Sequence, residues 1–220
     1  MTTIYLIRHS VKYERKNIES FHAPDNNHLR DEKTMLSVEG EKRAEILCKH
    51  NEFDNVEVIY ASNMVRSQQT AKYLATRLNL KLNIDERLNE RRIGLNSSNN
   101  YPDWYQRQYK DIDFKTEGGE SQREVAYRMK ECIDELLDKH NNQVVAVFSH
   151  GYAITFYLLT MCKLVNVNEK RELTFSYKDK IFYNKELNAP EVFKLKFDNS
   201  ELASIEFINF DDLPFMHGGI

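Results

Sequence analysis

Two short apolar segments that each end in a histidine constrain this chain more than any other feature. Residues 4–7 lead into Arg8 and His9, and far downstream residues 144–149 lead into His150. Runs of this length and character are typical of strands that are buried on both faces of a sheet. In open α/β sheets, ligands bind beyond the carboxyl ends of such strands. If these two strands are neighbours, both imidazoles lie at one edge, which predicts a catalytic site.

The first segment alone does not decide between a ligand site and an ordinary strand end. Polar residues at strand ends are routine, so Arg8 and His9 taken by themselves fit either interpretation about equally. The second strand that delivers a histidine is the observation that favours chemistry.

Composition bounds the class of protein. The 220 residues fit one large domain, and we expect a single domain over residues 1–220. The formal net charge of -3 gives no reason to expect a nucleic-acid partner. No apolar stretch has the length of a membrane span and the N-terminus has no signal-peptide pattern, so we expect a cytoplasmic protein with no membrane partner. The widely spaced Cys48, Cys132 and Cys162 are expected to be reduced core residues, and no zinc pattern is present.

Strand and helix patterns alternate along the chain. Strands are expected to end at Arg8 and to span residues 56–61, 80–84 and 144–149, with a hairpin at 192–197 and 202–207. Helices are expected at 37–51, from 62 to about 78, at 102–109, from 121 to about 137 and at 152–164. Residues 11–35 are expected to form a long surface loop with room for a short helix. This order predicts an α/β fold: a three-layer α/β/α sandwich with a mostly parallel sheet and antiparallel edge strands.

Two further charged residues are candidates for a site. Arg66 falls in the first turns of an expected helix, where the helix dipole favours an anion and disfavours a cation. This position indicates an anionic ligand, and a solvent-exposed arginine is the alternative. Glu90 is followed by Arg91 and Arg92, and a charged surface turn with local ion pairs explains that segment equally well.

Together these segments resemble the histidine phosphatase superfamily, also called phosphoglycerate mutase-like. The resemblance extends from residue 4 to about residue 160. It is carried by Arg8-His9, Leu36-Ser37-x-x-Gly40, Ser62-x-x-x-Arg66 with Gln69-Thr70-Ala71, Leu88-Asn89-Glu90-Arg91, Gly118-Gly119-Glu120-Ser121 and Ser149-His150-Gly151. Any one of these motifs is weak, but several in the right order on the right elements are specific.

The resemblance implies a phosphoglycerate mutase-like fold and a metal-independent phosphatase that acts on a small phosphorylated metabolite without a cofactor. It implies that His9 attacks phosphorus and becomes phosphohistidine, and that Glu90 protonates the leaving oxygen and then activates water. The implied catalytic residues are His9, Glu90, His150, Arg8 and Arg66. The expected substrate-binding residues are Arg8, Arg66, His150, Ser10, Lys12, Arg15 and Gly151.

General chemistry is compatible with these roles. A free imidazole has a pKa of about 6.5, so it can be neutral and nucleophilic at pH 7. Phosphoryl transfer mainly needs positive groups around the equatorial oxygens, and arginine forks supply them without a metal.

The chain also departs from the family pattern. Ser10 stands where the family commonly has glycine, and Lys12 stands where it has a small hydroxyl residue. The backbone N–H of Ser10 is a candidate phosphate donor. Lys12 and Arg15 either replace the missing groups or are solvated.

Two other functions stay open from sequence alone. A phosphoglycerate mutase uses the same phosphohistidine but returns the phosphoryl group to a bound product, and the segment around Glu90 slightly favours it. A non-catalytic member would bind phosphorylated ligands or a protein, although it would have no chemical need for His9. The oligomeric state is left open.

Overall fold

The computed structural model of the protein describes residues 1–14, 27–94, 103–210 and 212–213. Its strands are β1 (Thr2–Arg8), β2 (Val58–Ala61), β3 (Leu82–Ile84), β4 (Val144–Ser149), β5 (Lys163–Val167), β6 (Glu172–Tyr177), β7 (Lys180–Glu186), β8 (Val192–Asp198) and β9 (Glu201–Ile208). Its helices are α1 (Asn27–Lys33), α2 (Val38–Cys48), α3 (Val65–Leu78), α4 (Trp104–Lys110), α5 (Gln122–Lys139) and α6 (Gly151–Leu158).

A six-stranded sheet with the order β3-β2-β4-β1-β8-β9 forms the centre of the fold. The four strands from β3 to β1 are parallel, whereas β8 and β9 are antiparallel and form one edge. Arg8 lies opposite Ser149 in the β1–β4 register, so the carboxyl ends of these strands are level. The expectation of a mostly parallel sheet with antiparallel edge strands is confirmed.

The residues of β1 alternate between two hydrophobic cores. Ile4 and Leu6 belong to the core formed with α5 and α6, and Tyr5 and Ile7 belong to the core formed with α2 and α3. Successive side chains of a strand point to opposite faces, so an unbroken apolar strand requires a layer on each face of the sheet. The alternation therefore explains the three-layer arrangement from the sequence of one strand.

The hairpin at the sheet edge follows the expected turn. Asn199 and Ser200 have φ values of 46° and 68°, which is the left-handed pair that joins two strands in a tight turn. Ser121 begins α5 with a reciprocal capping box to Glu124. These two local signals are confirmed where the sequence has them.

One expectation is wrong. The expected helix over residues 152–164 ends at Leu158, and the chain then enters a second, three-stranded antiparallel sheet in the order β5-β6-β7. This sheet covers one flank of the large core through Leu173, Phe175 and Tyr183. Within the segment of residues 11–35, the short helix that the sequence allowed is present as α1. In the part of the chain that the structure describes, no helix is long and apolar enough to cross a membrane.

Candidate active site

The two histidines that follow β1 and β4 lie side by side. The ring centroids of His9 and His150 are 5.0 Å apart, and both residues are buried. This proximity follows from the level register of two neighbouring parallel strands. The sequence expectation that the two imidazoles meet at one sheet edge is confirmed.

The hydrogen bonds of His9 define its tautomer. Nδ1 lies 2.6 Å from the carbonyl oxygen of Ser10, and Nε2 lies 3.1 Å from Nε of Arg66. A carbonyl can only accept and a guanidinium can only donate, so Nδ1 carries the proton and Nε2 presents a lone pair. Nε2 is therefore the nitrogen of His9 that is able to act as a nucleophile.

Both imidazoles are held neutral by their surroundings. Burial lowers the pKa of His9 well below its usual value, and the charges of Arg66 and Arg8 lower it further. Burial and the charge of Arg66 likewise lower the pKa of His150. Desolvation and neighbouring cations both disfavour an imidazolium ion. Nε2 of His9 therefore stays unprotonated at neutral and mildly acidic pH.

His150 is oriented by Ser62, which follows β2. Nε2 of His150 lies 2.7 Å from Oγ of Ser62, whereas the buried Nδ1 atom of His150 has no hydrogen-bond partner among the described residues. Buried polar atoms are almost always satisfied in folded proteins. An oxygen atom of a bound anion is the kind of partner that this nitrogen would take.

Arg66 lies in the first turn of α3, and its guanidinium group is almost fully buried. Besides His9 it contacts α1: Nη1 donates to the carbonyl oxygen of Asp31 at 2.5 Å, and Nη2 donates to Oδ2 of Asp31 at 3.2 Å. A carboxylate has the charge and the two-oxygen geometry of part of a phosphate group. Asp31 thus occupies a position on Arg66 where an anionic ligand would compete.

Arg8 connects the site to the second sheet. Its Nη1 atom donates to the carbonyl oxygens of Leu187 and Asn188, at 2.6 and 2.9 Å, just after the end of β7. Its Nε atom is buried without a partner among the described residues. A Cβ atom added to Gly151 would lie 3.5 Å from this Nε atom, so Gly151 is in van der Waals range of the guanidinium group.

Glu90 lies at the N-terminus of α6. Its carboxylate accepts hydrogen bonds from the backbone N–H groups of Tyr152, at 3.4 Å, and of Ala153, at 3.2 Å. A carboxylate at this end of a helix is stabilised by the free N–H groups and by the helix dipole. Because α6 begins directly after His150, this contact holds Glu90 close to the histidine pair.

Arg128 of α5 holds the backbone that carries Glu90. Its guanidinium group donates to the carbonyl oxygens of Arg87, Asn89 and Glu90, and it forms an ion pair with Glu120. Burial opposes ionisation of Glu120, but the hydrogen bonds from Arg128 lower the pKa of Glu120 overall. The segment around Glu90, which the sequence allowed to be a solvated turn, is therefore anchored to α5 by hydrogen bonds.

Ser10, Lys12 and Arg15 are the remaining residues that were expected to bind substrate. The backbone N–H of Ser10 donates to Oγ1 of Thr70 at 3.0 Å, and a role of this N–H in phosphate binding stays a prediction. The buried hydroxyl of Ser10 has no partner in the described ranges. Lys12 is exposed and pairs with Leu36 through one bridge, and its charge adds to the lowering of the His9 pKa. Arg15 lies outside the described residues.

Two cavities open beside the site, and Glu90 lines both. One has a volume of about 160 Å³ and is lined by Arg8, Glu90, Tyr105, Tyr109, Gly151, Tyr152, Arg171, Glu186 and Leu187. The other, of about 360 Å³, shares only Glu90 with the proposed catalytic residues and is otherwise lined by Glu32, Asn63, Glu86, Arg87, Asn89, Arg92, Glu120 and Arg128.

Three residues that contact the site had no role assigned to them from the sequence. Ser62 and Thr70 stand in motifs that the sequence analysis quoted, yet their partners become visible only in three dimensions. Asp31 gave no signal, because it lies in a segment dense in charge and without periodicity. Within the described ranges, no cluster of three or more histidine, cysteine or acidic side chains is arranged to hold a metal ion.

Comparison with known proteins is consistent with this geometry. The sequence model of the histidine phosphatase superfamily (branch 1) matches residues 4–175. Phosphoserine phosphatase 1 of Hydrogenobacter thermophilus is 32% identical over 126 residues, which are 52% of this chain and 58% of that protein. The chain thus spans less than two thirds of this relative. Probable phosphoglycerate mutase GpmB of Yersinia enterocolitica is 30% identical over 145 residues, which are 62% of this chain and 67% of that protein.

A solved structure shares the fold. The mycobacterial glucosyl-3-phosphoglycerate phosphatase, solved in complex with VO3, superposes with a TM-score of 0.67 at 17% identity. The match covers 94% of this chain and 98% of that chain. At this identity the likeness concerns the fold, and it confirms the expected phosphoglycerate mutase-like α/β architecture.

Proposed function

This chain belongs to the histidine phosphatase superfamily (branch 1), and on that basis we propose that it hydrolyses a small phosphomonoester through a phosphohistidine formed on His9. The observation that carries the proposal is the state of His9. Its Nε2 atom has a lone pair and lies 3.1 Å from Nε of the buried Arg66 guanidinium group. A neutral imidazole next to fixed cations is the arrangement that attack on a phosphate dianion requires.

In the first step, the lone pair of Nε2 of His9 forms the N–P bond while the bond from phosphorus to the leaving oxygen breaks. Arg8, Arg66 and Nδ1 of His150 bind the equatorial oxygens. In support, Nε of Arg8 and Nδ1 of His150 have no partner among the described residues, and Arg66 already holds a carboxylate. Glu90 gives its proton to the leaving oxygen. Ser10, Lys12, Gly151 and Arg15 are proposed to complete the phosphate site.

In the second step, a water molecule attacks the phosphohistidine. Glu90, now a carboxylate, takes a proton from the water, the N–P bond breaks, and its electron pair returns to Nε2 of His9. Charge on the transferred oxygens is balanced by arginine, so no metal is needed in this scheme.

We also propose that the chain forms one domain and that it works in the cytoplasm. We take residues 1–220 as one domain, because β8 pairs with β1 and so the segment beyond the family match completes the central sheet. The three cysteines are free and buried, which fits a reducing compartment such as the cytoplasm.

Phosphoglycerate mutase activity is the second candidate, because GpmB is a relative of similar identity. The test uses p-nitrophenyl phosphate and 3-phosphoglycerate with EDTA present, comparing the wild-type protein with His9→Ala. Phosphate release that persists in EDTA and is lost in the variant supports the phosphatase. Interconversion of 2- and 3-phosphoglycerate without phosphate release supports the mutase. Phosphate release that is unchanged in the variant excludes His9 as the nucleophile.

A further inference from the structure

We propose that Arg171 and Glu186 form a subsite for a zwitterionic leaving group, one that carries both a carboxylate and an ammonium group beside the phosphorylated hydroxyl. This inference deepens the proposed function and rests on it. We call Tyr105, Arg171 and Glu186 the leaving-group subsite.

The subsite belongs to the cavity that a leaving group must enter. Arg8, Glu90 and Gly151 line the cavity of about 160 Å³, and Arg171 and Glu186 line the same cavity. The leaving oxygen has to face the acid that protonates it, and the rest of the leaving group has to lie near that acid. The larger cavity lacks Arg8 and Gly151, so it is the poorer candidate for this group.

The two charged side chains of the subsite do not neutralise each other. Within the described residues, the Glu186 carboxylate has no hydrogen bond or ion pair, and the Arg171 guanidinium has only a cation–π contact, 5.8 Å from the ring centre of Tyr105. Elsewhere in the described structure, arginine and acidic side chains form ion pairs, as Arg87 does with Asp85. Besides Arg8 and Glu90, which the proposed function assigns to phosphoryl transfer, the cavity therefore offers one positive and one negative group, and these are complementary to a ligand with one charge of each sign.

Arg171 is held by its backbone in an unusual conformation. Its φ is 64°, a left-handed value that residues with a Cβ atom rarely adopt. Its carbonyl oxygen accepts a hydrogen bond from Oη of Tyr105 at 3.0 Å, and its N–H donates to the carbonyl oxygen of Asn168 at 3.1 Å. These contacts fix the backbone of the turn between β5 and β6 that carries the Arg171 side chain.

Glu186 is fixed relative to the phosphate site. It is the last residue of β7, and the carbonyl oxygens of the next two residues, Leu187 and Asn188, bind Nη1 of Arg8. The carboxylate of the subsite and a guanidinium of the phosphate site are therefore set by the same short segment.

Three tyrosines, Tyr105, Tyr109 and Tyr152, line the same cavity. Burial raises the pKa of Tyr105, of Tyr109 and of Tyr152, so all three phenols are neutral at physiological pH. A carboxylate of the ligand would pair with the Arg171 fork, and an ammonium group would pair with Glu186 and contact a tyrosine face. A leaving group with a carboxylate alone would meet the negative charge of Glu186, and one with an ammonium group alone would meet the positive charge of Arg171.

Four phosphomonoesters that differ in leaving-group charge test the proposal. They are O-phospho-L-serine with both charges, 3-phosphoglycerate with a carboxylate only, phosphoethanolamine with an ammonium group only, and glycerol 3-phosphate with neither. The measured quantity is kcat/KM for phosphate release with EDTA present. We expect the wild-type protein to prefer phosphoserine over each of the others by about tenfold or more.

Two variants should each lower kcat/KM for a different pair of the four esters. Arg171→Gln is expected to lower kcat/KM about tenfold for phosphoserine and 3-phosphoglycerate only, and Glu186→Gln about tenfold for phosphoserine and phosphoethanolamine only. Lys180→Gln and Glu201→Gln make the same charge changes at exposed positions outside the cavity and should change none of the four values. Thermal unfolding confirms that each variant is folded.

Failure of the inference is distinguishable from failure of the proposed function. Hydrolysis of glycerol 3-phosphate through His9 without a preference for phosphoserine, or equal slowing of all four esters in both variants, overturns the subsite and leaves the phosphatase intact. If no ester is hydrolysed, the four are titrated calorimetrically into the wild-type protein. The subsite then requires phosphoserine to bind about tenfold more tightly than the others and both variants to lose that preference, and any other binding pattern overturns it.

Discussion

Arg66 and His9 are joined by a hydrogen bond of 3.1 Å between Nε of the arginine and Nε2 of the histidine. The two residues come from different elements, since Arg66 lies at the start of α3 and His9 follows β1. The contact leaves the protonated nitrogen of His9 on the carbonyl oxygen of Ser10 and brings a guanidinium group to the other nitrogen. A cation at this atom disfavours its protonation and at the same time provides a site for an incoming anion.

The contact between Arg66 and Asp31 predicts that Asp31→Asn binds phosphate more tightly. The carboxylate of Asp31 is partly exposed and competes with an anion for Nη2 of Arg66. An ion pair of this exposure contributes about 0.2–1 kcal/mol, so the inhibition constant of inorganic phosphate should fall by a factor of about 1.4 to 5. Asp54→Asn, which removes an exposed partner of Arg77 away from the site, is the control. Unchanged or weaker inhibition in Asp31→Asn would show that Asp31 does not compete.

The position of Glu90 predicts that Glu90→Gln is selective for poor leaving groups. An alkyl phosphate needs protonation of its leaving oxygen, whereas p-nitrophenolate departs without help. We expect kcat/KM to fall about 10²- to 10⁴-fold for an alkyl ester and only a few-fold for p-nitrophenyl phosphate. Thermal unfolding checks that the hydrogen bonds from Tyr152 and Ala153 to the residue 90 side chain are not essential for folding. Equal losses for both esters would remove Glu90 as the acid.

Gly40 and Gly118 form a matched pair for a stability measurement. A Cβ atom at Gly40 would lie 1.9 Å from the carbonyl oxygen of Val11, whereas at Gly118 it would meet nothing within 4 Å, although φ there is 70°. We expect Gly40→Ala to lower the free energy of unfolding by about 3 kcal/mol, because backbone must move. Gly118→Ala should cost about 1 kcal/mol from its left-handed backbone alone. Denaturant unfolding of both variants measures the difference, and equal costs would mean that α2 can shift freely.

The buried Glu191 predicts a pH-dependent stability effect. Burial raises the pKa of Glu191 to about 7, despite hydrogen bonds from Tyr183 and the nearby charge of Lys185. Between the pKa of an unfolded glutamate, about 4.3, and pH 7, the folded state holds a proton that the unfolded state has released. The free energy of unfolding therefore falls as pH rises through this interval.

Glu191→Gln removes that dependence because an amide does not titrate. Relative to the wild-type protein, the free energy of unfolding of the variant should rise by up to about 3 kcal/mol between pH 4.5 and pH 8. Urea unfolding at several pH values measures it, with Glu201→Gln, an exposed glutamate, as the control. Parallel profiles of Glu191→Gln and the wild-type protein would contradict the raised pKa.

The central sheet was predictable because its strands carry strong local signals. Residues 4–7 and 144–148 are apolar without interruption, and this pattern is compatible with few arrangements besides a strand covered on both faces. The positions of His9, His150 and Arg8 follow from that register alone. The hairpin at Asn199 was predictable for the same reason, since turn chemistry is local.

The second sheet was not predictable from the same signals. Residues 159–164 continue the apolar character of α6, so periodicity alone extends the helix into β5. Contacts between segments that are distant in the sequence could not be predicted from local patterns either. Examples are the contact of Arg66 with Asp31 and that of Arg8 with the carbonyl oxygens of Leu187 and Asn188. Those contacts decide which donors are free for a substrate, and they require the folded chain.

The most direct test is to identify the phosphorylated atom. The wild-type protein is mixed with a rapidly hydrolysed aryl phosphate and quenched in alkali, which preserves phosphohistidine. Peptide mass analysis and phosphorus NMR then locate the phosphoryl group. We expect it on Nε2 of His9, because Nδ1 is bound to the Ser10 carbonyl oxygen, and we expect none in His9→Ala. Phosphate on Nδ1, on another residue, or on no residue while turnover continues would contradict the proposed mechanism.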